Sequence, residues 1–128
     1  MKRILIILSA VVLALGLSSC NGKIENPTAR NFIGTWDLIS TDVVATDGTV
    51  TSTPCKSLDY LVIEENTISF YESDKISKHG KFAVKDKVIF FEGNAYFDVE
   101  SLTRNEMVLN QSGFGLLVKE YRFHYKRR

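Results

Sequence analysis

From Trp36 to Lys126 the apolar residues recur at every second position, in short runs broken by turn residues. No other feature of the chain limits its fold as tightly. Trp36, Leu38 and Ser40 share one face, and Asp37 and Ile39 share the other. This alternation marks strands with one buried and one wet face. Val43-Val44 runs into Asp47-Gly48, a hairpin signal. Thr49 to Thr53 is polar and β-branched, and Pro54 stops it or confines it to a sheet edge. Leu58 to Ile63 is apolar enough for a buried strand, and Thr67 to Tyr71 alternates again. Glu72 to Lys78 reads as a charged connection.

The second half follows the same rule. Phe82 and Val84 share a face, Lys85-Asp86-Lys87 turns, and Val88 to Phe91 is apolar on both faces. Gly93-Asn94 turns into Tyr96 to Val99, and Leu102 to Glu106 links that strand to Met107-Val108-Leu109. After Ser112-Gly113 and Gly115, a last strand from Leu116 to Lys126 puts Leu117, Tyr121, Phe123 and Tyr125 on one side. Eight or nine short strands at this spacing predict an all-β fold. Consecutive short hairpins predict an antiparallel up-and-down β-barrel of about eight strands, whose closure removes exposed edges. An open sandwich is the alternative.

The amino-terminal segment has a different character. Lys2 and Arg3 precede an apolar run from Ile4 to Leu17, which is shorter than the ~20 residues of a membrane span. Leu17-Ser18-Ser19-Cys20 follows, so residues 1–19 read as a signal peptide. This Leu-Ser-Ser-Cys resembles the lipobox of bacterial lipoproteins. The resemblance implies a diacylglycerol on the Cys20 thiol, cleavage before it, and acylation of the new amino terminus. Several acyl chains on one residue make such anchoring effectively permanent, at ~0.8 kcal/mol per buried CH₂. Asn21 does not resemble the Asp that retains lipoproteins in the inner membrane, which implies the outer membrane of a Gram-negative bacterium. The domain organisation predicted is leader 1–19, lipidated tether 20–31 with Pro27, and a barrel domain over 32–128.

The full chain has a formal charge of +1, and removal of Lys2 and Arg3 leaves −1, a balance in which nothing suggests nucleic acid, so no nucleic-acid partner is expected. With Cys20 lipidated, Cys55 is the one remaining thiol, so the core must hold without an internal disulfide. Cys55 is expected to be a half-buried small residue near Thr53-Pro54, with no His and no Lys/Arg cluster beside it to activate it.

Asn31-Phe32-Ile33-Gly34-Thr35-Trp36 contains the single Trp of the chain. A Gly-x-Trp heading an all-β chain resembles the opening motif of the lipocalin family. The stretches Lys81 to Ile89 and Val99 to Leu109 are also similar to hairpins of the short lipocalin-like domains on lipid-anchored envelope proteins. The resemblance implies a barrel plugged by Trp36 and a basic residue of the last strand laid against it. Arg122, Lys126 and Arg127 are the candidates. Larger lipocalins carry a helix after the last strand, and none follows here.

Signals for chemistry are sparse. His79 and His124 fall in no Ser/His/Asp or Cys/His pattern, so no enzymatic activity is expected. One free Cys and two distant His do not make a metal site. The glycines match neither a P-loop nor a dinucleotide fingerprint, so no cofactor is expected. The aromatic set Trp36, Phe70, Phe82, Phe90, Phe97, Tyr121, Phe123 and Tyr125 is the candidate lining of a barrel interior. An eight-stranded barrel is wide enough to be filled by side chains or to hold one small ligand. Two functions follow: a carrier of a small hydrophobic or amphipathic ligand, or a filled barrel that docks an envelope protein partner. The second draws on Leu116, Val118 and an outward Ile89/Phe91 strand.

Overall fold

The computed structural model describes residues 22–113 and 115–128. The expected leader, and Cys20 with its lipidation, lie outside the described residues. One helical turn, α1 (Ala29–Phe32), precedes nine strands. These are β1 (Gly34–Ala45), β2 (Val50–Pro54), β3 (Tyr60–Ile63), β4 (Thr67–Glu72), β5 (Lys75–Lys85), β6 (Val88–Phe91), β7 (Asn94–Leu102), β8 (Glu106–Ser112) and β9 (Val118–Arg127).

From β3 to β9 each strand pairs antiparallel with the next, and β9 returns to β1 along Trp36 to Ala45. The other edge of β1 is shared: Gly34 to Asp37 pair with β3, and Ser40 to Val44 pair with β2. The result is a closed eight-stranded antiparallel barrel, the fold the alternation predicts, with β2 as an extra strand outside the ring. β2 is exposed along its whole length and ends at Pro54, as an edge strand should.

Three hairpins turn through two consecutive residues at positive φ, Ser73-Asp74, Asp86-Lys87 and Glu92-Gly93. That geometry matches the right-handed twist of the flanking strands. The first of these corrects the expected connection over Glu72 to Lys78: a tight turn joins β4 to a long β5 that starts at Lys75. The charged side chains hid a strand whose upper part borders solvent.

Register shifts explain where simple alternation fails. The shift between Leu38 and Ser40 moves Ser40 off the Trp36 face and turns Thr41 inward, opposite Phe123. In β6, Ile89 pairs with Val84 and Phe97, and Phe91 with Phe82, so both belong to the inner face, and the expected outward Ile89/Phe91 patch does not form. Phe90 takes the outer face instead. The last strand begins at Val118, not Leu116. Leu116 and Leu117 sit in the β8–β9 turn, 90% and 80% exposed.

One end of the barrel is packed solid. Phe32, Trp36, Ile63, Ile68, Phe82, Leu102 and Met107 are all buried there. Trp36 Nε1 donates to Phe32 O at 2.8 Å, so α1 is fastened to the plug. The Thr28 N–H donates to Asn31 Oδ1 at 2.8 Å and caps that turn. Of the three basic candidates it is Arg127 that covers the indole, its guanidinium carbon 4.1 Å from the ring centroid. The stretch read as a tether is partly built into this end. Ile24 packs against the core and its N–H donates to Leu102 O at 2.8 Å. Among the described residues, one hydrophobic core runs from Ile24 to Tyr125.

Candidate functional site

The opposite end of the barrel is not filled. Inward positions of seven strands line a cavity of about 330 Å³. Leu38 and Thr41 come from β1, Leu61 from β3, Phe70 from β4 and Lys78 from β5. Tyr96 and Phe97 of β7, Gln111 of β8, and Phe123 and Tyr125 of β9 complete the ring. Its volume is at the small end of the range for ligand pockets, and its walls are mainly aromatic. A hollow of about 490 Å³ on the outer wall is larger and is also bordered by Tyr96 and Phe97, but it lies over the outward row Val88, Asp98 and Asn110.

The rings pack edge to face, the geometry favoured by their quadrupoles. Phe70 and Tyr96 lie 5.4 Å apart, Tyr96 and Phe97 4.8 Å, and Phe97 and Phe123 5.8 Å. A shift of register between Ile89 and Phe90 leaves Tyr96 as an unpaired residue of β7, so that Tyr96 and its neighbour Phe97 both line the cavity. Gln111 Nε2 donates to Tyr96 O at 3.1 Å and holds this bulge.

Several polar groups interrupt the apolar wall besides Thr41 and Gln111. Lys78 Nζ donates to Tyr96 Oη at 2.8 Å and lies 5.5 and 5.3 Å from the centroids of Phe70 and Tyr96. Asp59 and Glu72 stand on the rim, where Asp59 accepts from Ser57 Oγ and the Ser73 N–H, each at 2.9 Å. Tyr125 is buried, and its hydroxyl has no hydrogen-bond partner among the described residues. Burial pushes its pKa well up, so at neutral pH it is a neutral hydroxyl.

The structure thus brings together half of the expected lining. Phe70, Phe97, Phe123 and Tyr125 converge on the cavity. Trp36 and Phe82 belong to the packed end, Phe90 faces outward, and Tyr121 stacks on Phe123 without lining the cavity. Leu38, Thr41, Leu61, Lys78, Tyr96 and Gln111 were not foreseen. Lys78 carried a legible signal, since Lys78, Gly80, Phe82 and Val84 continue one face at period two. Tyr96 carried none, because its place depends on the bulge.

Neither histidine reaches the cavity. Ser69 Oγ and His79 Nδ1 are 2.7 Å apart on the outer face. His124 Nε2 lies 2.7 Å from Asp42 Oδ2, while Ser52 Oγ donates to Asp42 Oδ1 at 2.6 Å. Asp42 thereby ties β2 and β9 to β1. The Ser52 hydroxyl first, and the His124 ring second, hold its carboxyl below the ordinary range. A depressed carboxylate contributes stability that is full above its unfolded value of about 3.9 and is lost as pH falls through the lower folded value. Asp42→Asn should therefore remove on the order of 1 kcal/mol at neutral pH, and the gap should close in strong acid. Urea midpoints of both proteins down an acid pH series measure this. A gap that stays constant with pH would refute it.

Cys55 is half-buried just beyond β2, its Sγ 3.4 Å from Ser57 O. Among the described residues no group of three or more His, Cys, Asp or Glu converges as metal ligands would. Comparison with protein-family models, curated proteins and solved structures finds no match to this chain.

Proposed function

We propose that this barrel is a non-enzymatic carrier of a small hydrophobic or amphipathic molecule, held on the bacterial envelope by lipid on Cys20. The observation that carries the reading is the cavity of about 330 Å³ at one end of a barrel whose other end is packed solid. A barrel serving only as a spacer gains stability by filling both ends, since an unfilled apolar hollow forfeits packing contacts. The lipidation rests on the order of charge, apolar run, small residues and cysteine in the leader. The chain enters the barrel at the packed end, where Ile24 meets Leu102. A lipid four residues earlier would face that end to the outer membrane and turn the mouth away, within a reach of about 14 Å.

Native mass spectrometry of residues 22–128, purified gently from a bacterial host, tests the carrier. The expected result is a discrete non-covalent adduct, and Thr41→Trp should abolish it. Thr41 lines the cavity from a strand, where an indole is well accommodated and would occupy the space. An adduct that survives Thr41→Trp would place the ligand elsewhere, and a clean apo mass from every preparation would favour the alternative function.

That alternative, a module docking another envelope protein, has one observation of its own. Leu116 and Leu117 stand exposed together in the β8–β9 turn. In-cell crosslinking from this turn that recovers no protein would remove it.

A further inference from the structure

We propose that the cavity selects amphiphiles with a carboxylate head, seating the head on Lys78 and Tyr96 and the apolar body against Phe70, Phe97 and Phe123. This rests on the carrier reading and narrows it to a ligand class.

Lys78 is the one cation lining the cavity, and it occupies an inward position on β5. Lys78 is exposed at the mouth, and its ammonium stays within reach of solvent and of an entering molecule. Here no carboxylate of the described residues lies within ion-pair distance of it. Its partners are the Tyr96 hydroxyl and the faces of two aromatic rings, which fix its position without neutralising it. An ammonium has three donors, and Tyr96 takes one. Two remain for an incoming anion, and the tyrosine hydroxyl, accepting from lysine, can donate its own proton to the same head. Asp59 and Glu72 also stand on the rim, Asp59 with its Oδ1 taken by Ser57 and Ser73, and neither lies within ion-pair distance of Lys78. Tyr125 adds a second hydroxyl to the lining, one that makes no hydrogen bond among the described residues.

Calorimetric titration of residues 22–128 with decanoate and with 1-decanol tests the assignment. A purely apolar cavity would rank decanol first, because the ionised head must be desolvated. A carboxylate seat reverses that order. Lys78→Met, which keeps an unbranched apolar stem, should weaken decanoate by about tenfold or more and decanol much less, since a charged acceptor gains more from the ammonium than a neutral one. High salt should likewise weaken decanoate alone. Lys78 is exposed at the rim, so the core survives its replacement, and Lys78→Gln supplies a second variant with the same expectation. Equal binding of both probes, untouched by either variant or by salt, would overturn the seat while leaving the carrier intact. Failure of the wild-type protein to bind either probe would overturn the carrier and the seat together.

Discussion

Trp36→Ala is expected to destabilise the barrel by about 3–5 kcal/mol, the usual cost of removing a fully buried large aromatic. Against a total stability of roughly 5–15 kcal/mol, that is a large share. Three losses combine. The indole is fully buried, so its removal opens a void beside Phe32 and Met107. Its Nε1–H is the side-chain donor to Phe32 O, so α1 loses its fastening to the barrel. The guanidinium of Arg127 loses the ring on which it rests. Trp36→Phe separates these. It keeps most of the apolar volume but leaves the Phe32 carbonyl unsatisfied, and should cost about 1–3 kcal/mol. Urea unfolding of the three proteins measures both. A loss below about 1 kcal/mol for the alanine variant would show that the packed end does not depend on its plug. Ligand affinity in the phenylalanine variant should be unchanged, since Trp36 does not line the cavity.

The same distance between plug and cavity shows what the sequence could and could not disclose. Alternation told which residues point inward within one strand, and the turn residues Asp47-Gly48 and Asp86-Lys87 told where strands reverse. Together they were enough for the closed barrel. They could not tell at which height of the barrel an inward residue sits. Height follows from register between strands, and register follows from bulges that leave no mark in composition. Trp36, Phe82 and Phe97 therefore looked alike as inward aromatics, although two of them plug the packed end and one lines the cavity. The shift after Leu38 brought in Thr41, and the one before Phe90 brought in Tyr96, neither foreseen. Lys78 was passed over for another reason. A Lys-rich stretch has the composition of a loop, whereas a strand at a barrel mouth can carry charge on both faces because water reaches each.

Arg127→Met should cost about 2–4 kcal/mol and should be strongly coupled to Gly34. The guanidinium donates to three backbone carbonyls, Arg104 O at 2.7 Å, Asn31 O at 2.9 Å and Ile33 O. One side chain thus joins the β7–β8 turn, α1 and the start of β1, while its face covers Trp36. Methionine keeps the contact with the ring but leaves those acceptors without their charged donor. Lysine keeps the charge but not the planar fork, so Arg127→Lys should recover less than half of the loss. Gly34 has φ +142, and a Cβ there would stand 2.6 Å from Arg127 Nη1. Gly34→Ala therefore strains the backbone and evicts the same guanidinium. If both substitutions destroy one arrangement, the double variant Gly34→Ala/Arg127→Met loses less than the sum of the two, by about 1 kcal/mol or more in a double-mutant cycle. Full additivity would mean that glycine serves only the local turn of the chain. The shortfall would show instead that the glycine of Gly-x-Trp is there to admit the arginine that closes the barrel over its tryptophan.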